Sequence, residues 1–192
     1  MKEIPKDLEV LSKLDTPEKI QDFLNKLPFN HERRGETYHS VAKTLESGRA
    51  HCFEGALVAA ASLWLNGDKP LLMDLRTADG DQDHVVALYR RGGLWGAISK
   101  TNHPVLRFRD AVYKTPRELA MSYFHEYYLA DGTKTLRKYS EPFDLTQTKF
   151  DWLLGDEALT KLVAELDNSP HTDIVPRGLR LRKADSIEIE AS

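Results

Sequence analysis

Between Cys52 and Leu65 the chain reads CFEGALVAAASLWL, which leaves almost no polar face on a helix. A helix that lies on a surface carries one apolar stripe, whereas a helix apolar all round is buried. The apolar run Ala56–Leu65, interrupted by Ser62, is too short to span a bilayer, so the segment belongs inside a globular core. Gly55, Ala56, Ala59 and Ala60 are small enough to let other elements approach closely. Asn66-Gly67 supplies the stop. On the other side GRAH (Gly48 to His51) is a polar turn, so Cys52, the single cysteine, falls where the turn becomes the buried helix.

The elements around this helix follow from periodicity. Asp15-Thr16-Pro17-Glu18 reads as a capped helix start, and Ile20, Phe23, Leu24 and Leu27 continue it with the i, i+3, i+4, i+7 pattern. SVAKTLES predicts a short helix that ends near Gly48. Leu71–Arg76, His84–Tyr89 and Leu94–Ser99 have strand composition, with RRGG as the hairpin turn between the last two. Thr115-Pro116-Arg117-Glu118 is a capping box that opens an aromatic helix with Leu119, Tyr123, Phe124, Tyr127 and Tyr128, stopping near Gly132. Leu159, Leu162, Val163 and Leu166 mark another amphipathic helix. The predicted class is α+β, a buried central helix packed on an antiparallel meander of about three strands. One domain is expected over 1–167, followed by an extended C-terminal arm over 168–192.

Composition removes several classes of function. The 192 residues carry 27 basic and 30 acidic side chains, a net charge of -3, without the clustered positive charge that nucleic acid requires. The first residues, MKEIPKDLEV, hold no apolar segment of a secretory signal, and a lone cysteine makes no internal disulfide. The expected setting is a reducing cytoplasm, with no membrane partner. Nothing in the sequence sets the oligomeric state.

The chemistry centres on Cys52. A helix N-terminus offers partial positive charge and free N–H groups that lower a thiol pKa. A cysteine nucleophile also needs a histidine base within hydrogen-bond reach. His84 opens a strand about thirty residues on, after one intervening strand, and the two meet if the strands pack against the start of the helix. The competing reading makes Cys52 a small buried hydrophobe. His51 points away from Cys52 in most helix-start geometries, though it could line the mouth of a site. Glu54 is expected to complement the helix dipole, and Arg49 either lies on the surface or supports a thiolate or a substrate carboxylate. One cysteine and scattered histidines do not make a metal site. DGDQD (Asp79–Asp83) lacks the glycine and glutamate of a calcium loop, since His84 and Arg90 fall there, and reads as an acidic turn. Asp83 projects to the face opposite His84. No phosphate loop or nucleotide fingerprint occurs, so no cofactor and no metal are expected.

GRAHCFEGALVAAASLWLNG followed by DHVVALYRRGGLWGAIS resembles the core of the transglutaminase-like superfamily. That group has a papain-like Cys/His fold and includes transglutaminases, bacterial cysteine peptidases, peptide N-glycanases and arylamine acetyltransferases. The resemblance covers roughly residues 35 to 105. It implies a cysteine-proteinase-like fold with Cys52 as nucleophile and His84 as base. It further implies an amide, peptide or protein substrate, attacked at a carbonyl with hydrolysis or acyl transfer to follow.

The chain departs from that pattern at the third catalytic position. The family carries Asp on the next strand, and this sequence has AISKTNH. A hairpin loop of two or four residues puts Ser99 on the same sheet face as His84, and a loop of three puts Asn102 there. Either side chain accepts a hydrogen bond from the imidazole and fixes its tautomer, but neither stabilises an imidazolium as a carboxylate does. An enzyme and a binding protein that keeps the fold without turnover therefore both fit the sequence.

Overall fold

The computed structural model describes residues 6–32 and 35–190. Among these residues, seven strands make one antiparallel sheet: β1 (Leu71–Thr77), β2 (His84–Arg91), β3 (Leu94–Ile98), β4 (Arg109–Tyr113), β5 (Leu136–Ser140), β6 (Phe143–Asp144) and β7 (His171–Asp173). Their order is β4-β3-β2-β1-β5-β7, with β6 beside β1. The helices are α1 (Glu9–Ser12), α2 (Pro17–Lys26), α3 (Val41–Ser47), α4 (Cys52–Leu65), α5 (Pro116–Met121), α6 (Thr160–Asp167) and α7 (Ser186–Glu190). The α+β class and the buried central helix hold. The sheet is wider than the expected meander, because β4 to β7 are too short or too charged to show a period of their own.

Helix α4 is the organising element, and every residue from Phe53 to Leu63 is buried. It lies on β2 and is enclosed by α1, α2 and α3. Leu57, Ala59, Leu63, Leu72, Ala87 and Ile98 belong to the core on this face. The opposite sheet face carries a second core in which Met73, Val86 and Leu88 meet Leu119, Tyr123 and Tyr127. Because both faces are covered, the central strands read as continuous apolar runs rather than alternating ones.

Two ties fix α2 and α4 to the end of β3. Gln21 on α2 pairs with the backbone of Ser99 in both directions: its Oε1 accepts from Ser99 N–H (2.9 Å) and its Nε2 donates to Ser99 O (2.8 Å). Lys100 then donates from Nζ to the carbonyls of Leu24 (2.9 Å) and Leu27, so a cation closes the C-terminus of α2. Gly55 makes this approach possible. A Cβ at that position would stand 2.3 Å from Lys100 Cβ.

Two expectations change. The aromatic helix stops at Met121, and a 3-10 turn (Phe124–Glu126) follows. Arg109 donates to Ser122 Oγ (3.0 Å) and Ser122 O (3.3 Å), and these tertiary bonds take the place of a further helical turn. Residues 168–190 are tied into the fold. They contribute β7, bury Ile174 and Ala184, and donate from Ala184 N–H to Gly132 O (2.8 Å).

Candidate functional site

The turn before α4 is held by a parallel bridge between Phe29 and Ala50. It delivers His51 as the N-cap and Cys52 as the first helical residue. Cys52 keeps partial exposure although the helix behind it is buried. His84, the first residue of β2, is buried beside it. The hairpin pairs Arg91 with Leu94 and Ala87 with Ile98, which is the two-residue loop through Gly92-Gly93. That register places Ser99 on the face of His84, and the His84 Nε2 to Ser99 Oγ distance is 2.8 Å. Asn102 is exposed on the loop after β3. The side chain that meets His84 is therefore Ser99.

The protons in this contact are fixed by chemistry. Ser99 Oγ donates to Leu106 O at 2.6 Å, and a carbonyl only accepts. The hydroxyl must then accept from His84, so Nε2 carries a hydrogen and Nδ1 is the nitrogen free to take a proton. Leu106 has φ +58, in the left-handed region that disfavours L side chains, and Glu126 Oε2 accepts its N–H at 2.9 Å. Glu126 in turn pairs with Arg109 (2.6 Å). A carboxylate thus supports the site through one residue, Leu106, instead of touching the imidazole.

His51 departs from expectation. Its imidazole interacts with the Cys52 thiol instead of pointing away. Burial pushes the thiol up, but hydrogen bonds and charge from His51 and His84 outweigh it and bring the thiol down to about 5. Burial pulls His51 down, but Cys52, Glu54 and the Thr37 carbonyl overcome this and lift it to about 9. Nε2 of His51 lies 2.6 Å from Thr37 O, and 3.6 Å from both Glu32 Oε1 and Glu54 Oε1.

Glu54 is fully buried and works as a hub. It accepts from His51 N–H (3.2 Å), Asn30 Nδ2 (3.2 Å), Thr37 Oγ1 (3.0 Å) and His39 N–H (3.3 Å), and His39 Nδ1 lies 2.9 Å away. Its sequence position, third in the helix after a cap residue, is the capping-box place, and that was the one signal for it. Gln21, Leu106 and Glu126 left no signal, since each acts through contacts distant in sequence. Beside this hub a cavity of about 770 Å³ is lined in part by Asn30, Glu32, Thr37, His39 and Arg49.

Other polar residues are accounted for by structure. Asp83 accepts from Thr77 N–H (2.7 Å) and Thr77 Oγ1 (2.9 Å), away from His84. Asp81 accepts from Thr135 Oγ1 (2.5 Å). Among the described residues no group of three or more His, Cys, Asp or Glu side chains is placed to hold a metal ion. No helix among them is long and apolar enough to cross a membrane.

No family model matches the chain, and no curated protein matches it. Its neighbours among solved structures include Legionella pneumophila LapG. That likeness has 16% identity and a TM-score of 0.38, covering 50% of this chain and 60% of that one. The chain therefore spans 60% of the length of that neighbour. EGTA-treated LapG from the same organism matches at 12% identity and a TM-score of 0.41, covering 76% of this chain and 80% of that chain. Likenesses this distant assign no activity, and the function has to be argued from the residues.

Proposed function

We propose that the chain is a transglutaminase-like cysteine hydrolase or acyltransferase that acts on an amide or peptide carbonyl. Cys52 is the nucleophile, His84 the general acid–base and Ser99 its positioning residue. The observation that carries this reading is the place of Cys52, the first residue of a buried helix, with the side chains of His51 and His84 beside its thiol; the lowering of that thiol by both imidazoles agrees with it. The thiolate attacks the carbonyl carbon, and the electron pair of the C=O bond moves to oxygen. The α4 N-terminus, whose first N–H groups lack intrahelical partners, stabilises that oxyanion. Collapse breaks the C–N bond, and the leaving nitrogen takes up the proton the thiol had given to the imidazoles. Water or an amine then takes the acyl group from sulfur. This chemistry calls for no metal or cofactor.

A second reading, a binding protein that retains the fold with weak or no turnover, is favoured by the hydroxyl at Ser99. A neutral acceptor stabilises an imidazolium less than a carboxylate does. One experiment separates the two. The intact protein is incubated with p-nitrophenyl acetate, and peptide mass spectrometry locates the acetyl group. The enzyme reading expects a thioester on Cys52 that decays as product forms, and its loss in Cys52→Ala with an unchanged circular dichroism spectrum. Acylation that is indifferent to Cys52→Ala contradicts it.

A further inference from the structure

The two imidazoles beside Cys52 have different surroundings. His84 faces a neutral hydroxyl, and its Nε2–H is committed to Ser99. The carboxylates are on the other side. Glu32 and Glu54 each place an oxygen 3.6 Å from His51 Nε2, and Thr37 O accepts from that nitrogen at 2.6 Å. Glu54 is itself aimed by four hydrogen-bond donors and sits fully buried, where its field is weakly screened. The carboxylate missing opposite His84 is therefore present opposite His51, and it comes from within the same short stretch, HCFE (His51 to Glu54).

Resting on the nucleophile reading above, we propose that His51, backed by Glu54 and Glu32, is a second catalytic histidine that holds the thiol proton in the resting site. The S–H bond of Cys52 breaks with its electron pair left on sulfur, and the proton forms an N–H bond at His51 Nδ1, since Nε2 already carries a hydrogen toward Thr37. Charge is conserved as a thiolate and an imidazolium. The proton on His51 is the one the leaving nitrogen takes up, and His84, whose Nε2–H is committed to Ser99, turns its Nδ1 to the attacking water as base. Cys52, Glu32 and Glu54 favour the charge on His51, and the Tyr38 and Phe53 rings pack against it. His39 Nδ1, 2.9 Å from Glu54 Oε1, competes with His51 for that carboxylate. The lift of His51 to about 9 agrees with the geometry.

The test is nitrogen-15 NMR of the imidazoles in the intact labelled protein at pH 7, with alkylation of Cys52 by iodoacetamide as a function of pH. The proposal expects His51 doubly protonated and His84 protonated on Nε2 alone. It expects His51→Asn, which keeps a good N-cap residue, to raise the alkylation midpoint by about 2 pH units, and His84→Asn to raise it by less. A neutral His51 at pH 7 overturns the proposal, and so does a midpoint that moves with His84→Asn and not with His51→Asn. In both cases a low wild-type midpoint leaves the nucleophile reading standing. An ordinary wild-type midpoint overturns that reading, and the proposal with it. The wild-type NMR measurement decides the matter even if a variant fails to fold.

Discussion

Ser99 meets His84 with a hydroxyl backed by a neighbouring carbonyl, at the position where the resembled family carries an aspartate. Its O–H is committed to Leu106 O, so it holds His84 in one tautomer. The cost falls on Leu106, whose left-handed backbone is disfavoured by roughly 1–2 kcal/mol for an L residue. Glu126 and Ser99 offset it by binding the residue's N–H and C=O. Ser99→Ala removes one hydrogen bond to the imidazole. We expect acyl transfer to fall about tenfold, with the Cys52 alkylation midpoint little changed, because the loss is of orientation. A midpoint that rises to the free-thiol range in Ser99→Ala would assign Ser99 an electrostatic role instead. At this scale spacing and the family resemblance make Cys52 and His84 candidates, and strand parity leaves Ser99 or Asn102 opposite His84 until the two-residue hairpin loop brings Ser99 to it. The sequence leaves the place of His51 open, because helix-start geometry alone turns it outward and the carboxylates near it, Glu32 and Glu54, are brought there by the fold.

Helix α4 was legible because an all-round apolar run has one solution, burial. The capping signals at Thr16 and Thr115 are present as expected, with each Oγ1 accepting from the N–H three residues on. What the sequence could not show is how α4 is clamped. That depends on Lys100, 45 residues beyond Gly55 in the chain, crossing the helix where a glycine leaves room. The strands β4 to β7 escaped notice for a related reason, since short edge strands are defined by their partners rather than by a pattern of their own. Gly55→Ala tests the clamp. Alanine gains roughly 1 kcal/mol in helix propensity, but a Cβ 2.3 Å from Lys100 Cβ forces overpacking near the upper end of the usual range, about 3 kcal/mol. The net expectation is a Tm lower by about 4–8 °C. A Tm equal to or above the wild type would show that Lys100 moves aside freely.

Across the whole molecule, the C-terminal segment is joined to the sheet through a second buried pair remote from Cys52 in the chain. His171 on β7 lies 3.0 Å from Asp74 Oδ2 on β1, and its Nδ1 donates to Ser169 O (2.6 Å). Burial lifts the Asp74 carboxyl to about 6 against an ordinary value of 3.8; Asp83 adds to this, and His171 and Arg76 oppose it. A carboxyl raised on folding binds its proton more tightly in the native state. Its contribution to stability is therefore fully present below the unfolded value of 3.8 and is lost as pH rises through about 6. Asp74→Asn keeps a hydrogen-bond partner for His171 without the charge, so Tm should vary less between pH 4 and 7 than in the wild type. Thermal melts across that range check it, and an unchanged pH profile would remove Asp74 from the account.

The central claim is that the turn from Gly48 to His51 places the Cys52 thiol between two imidazoles at the start of a buried helix, where it ionises well below the range of a free thiol. The most direct test is the rate of iodoacetamide alkylation at Cys52 as a function of pH in the intact wild-type protein. The account predicts a midpoint near 5, with the rate level through neutral pH. A midpoint in the range of a free thiol, about 8.5, would contradict it.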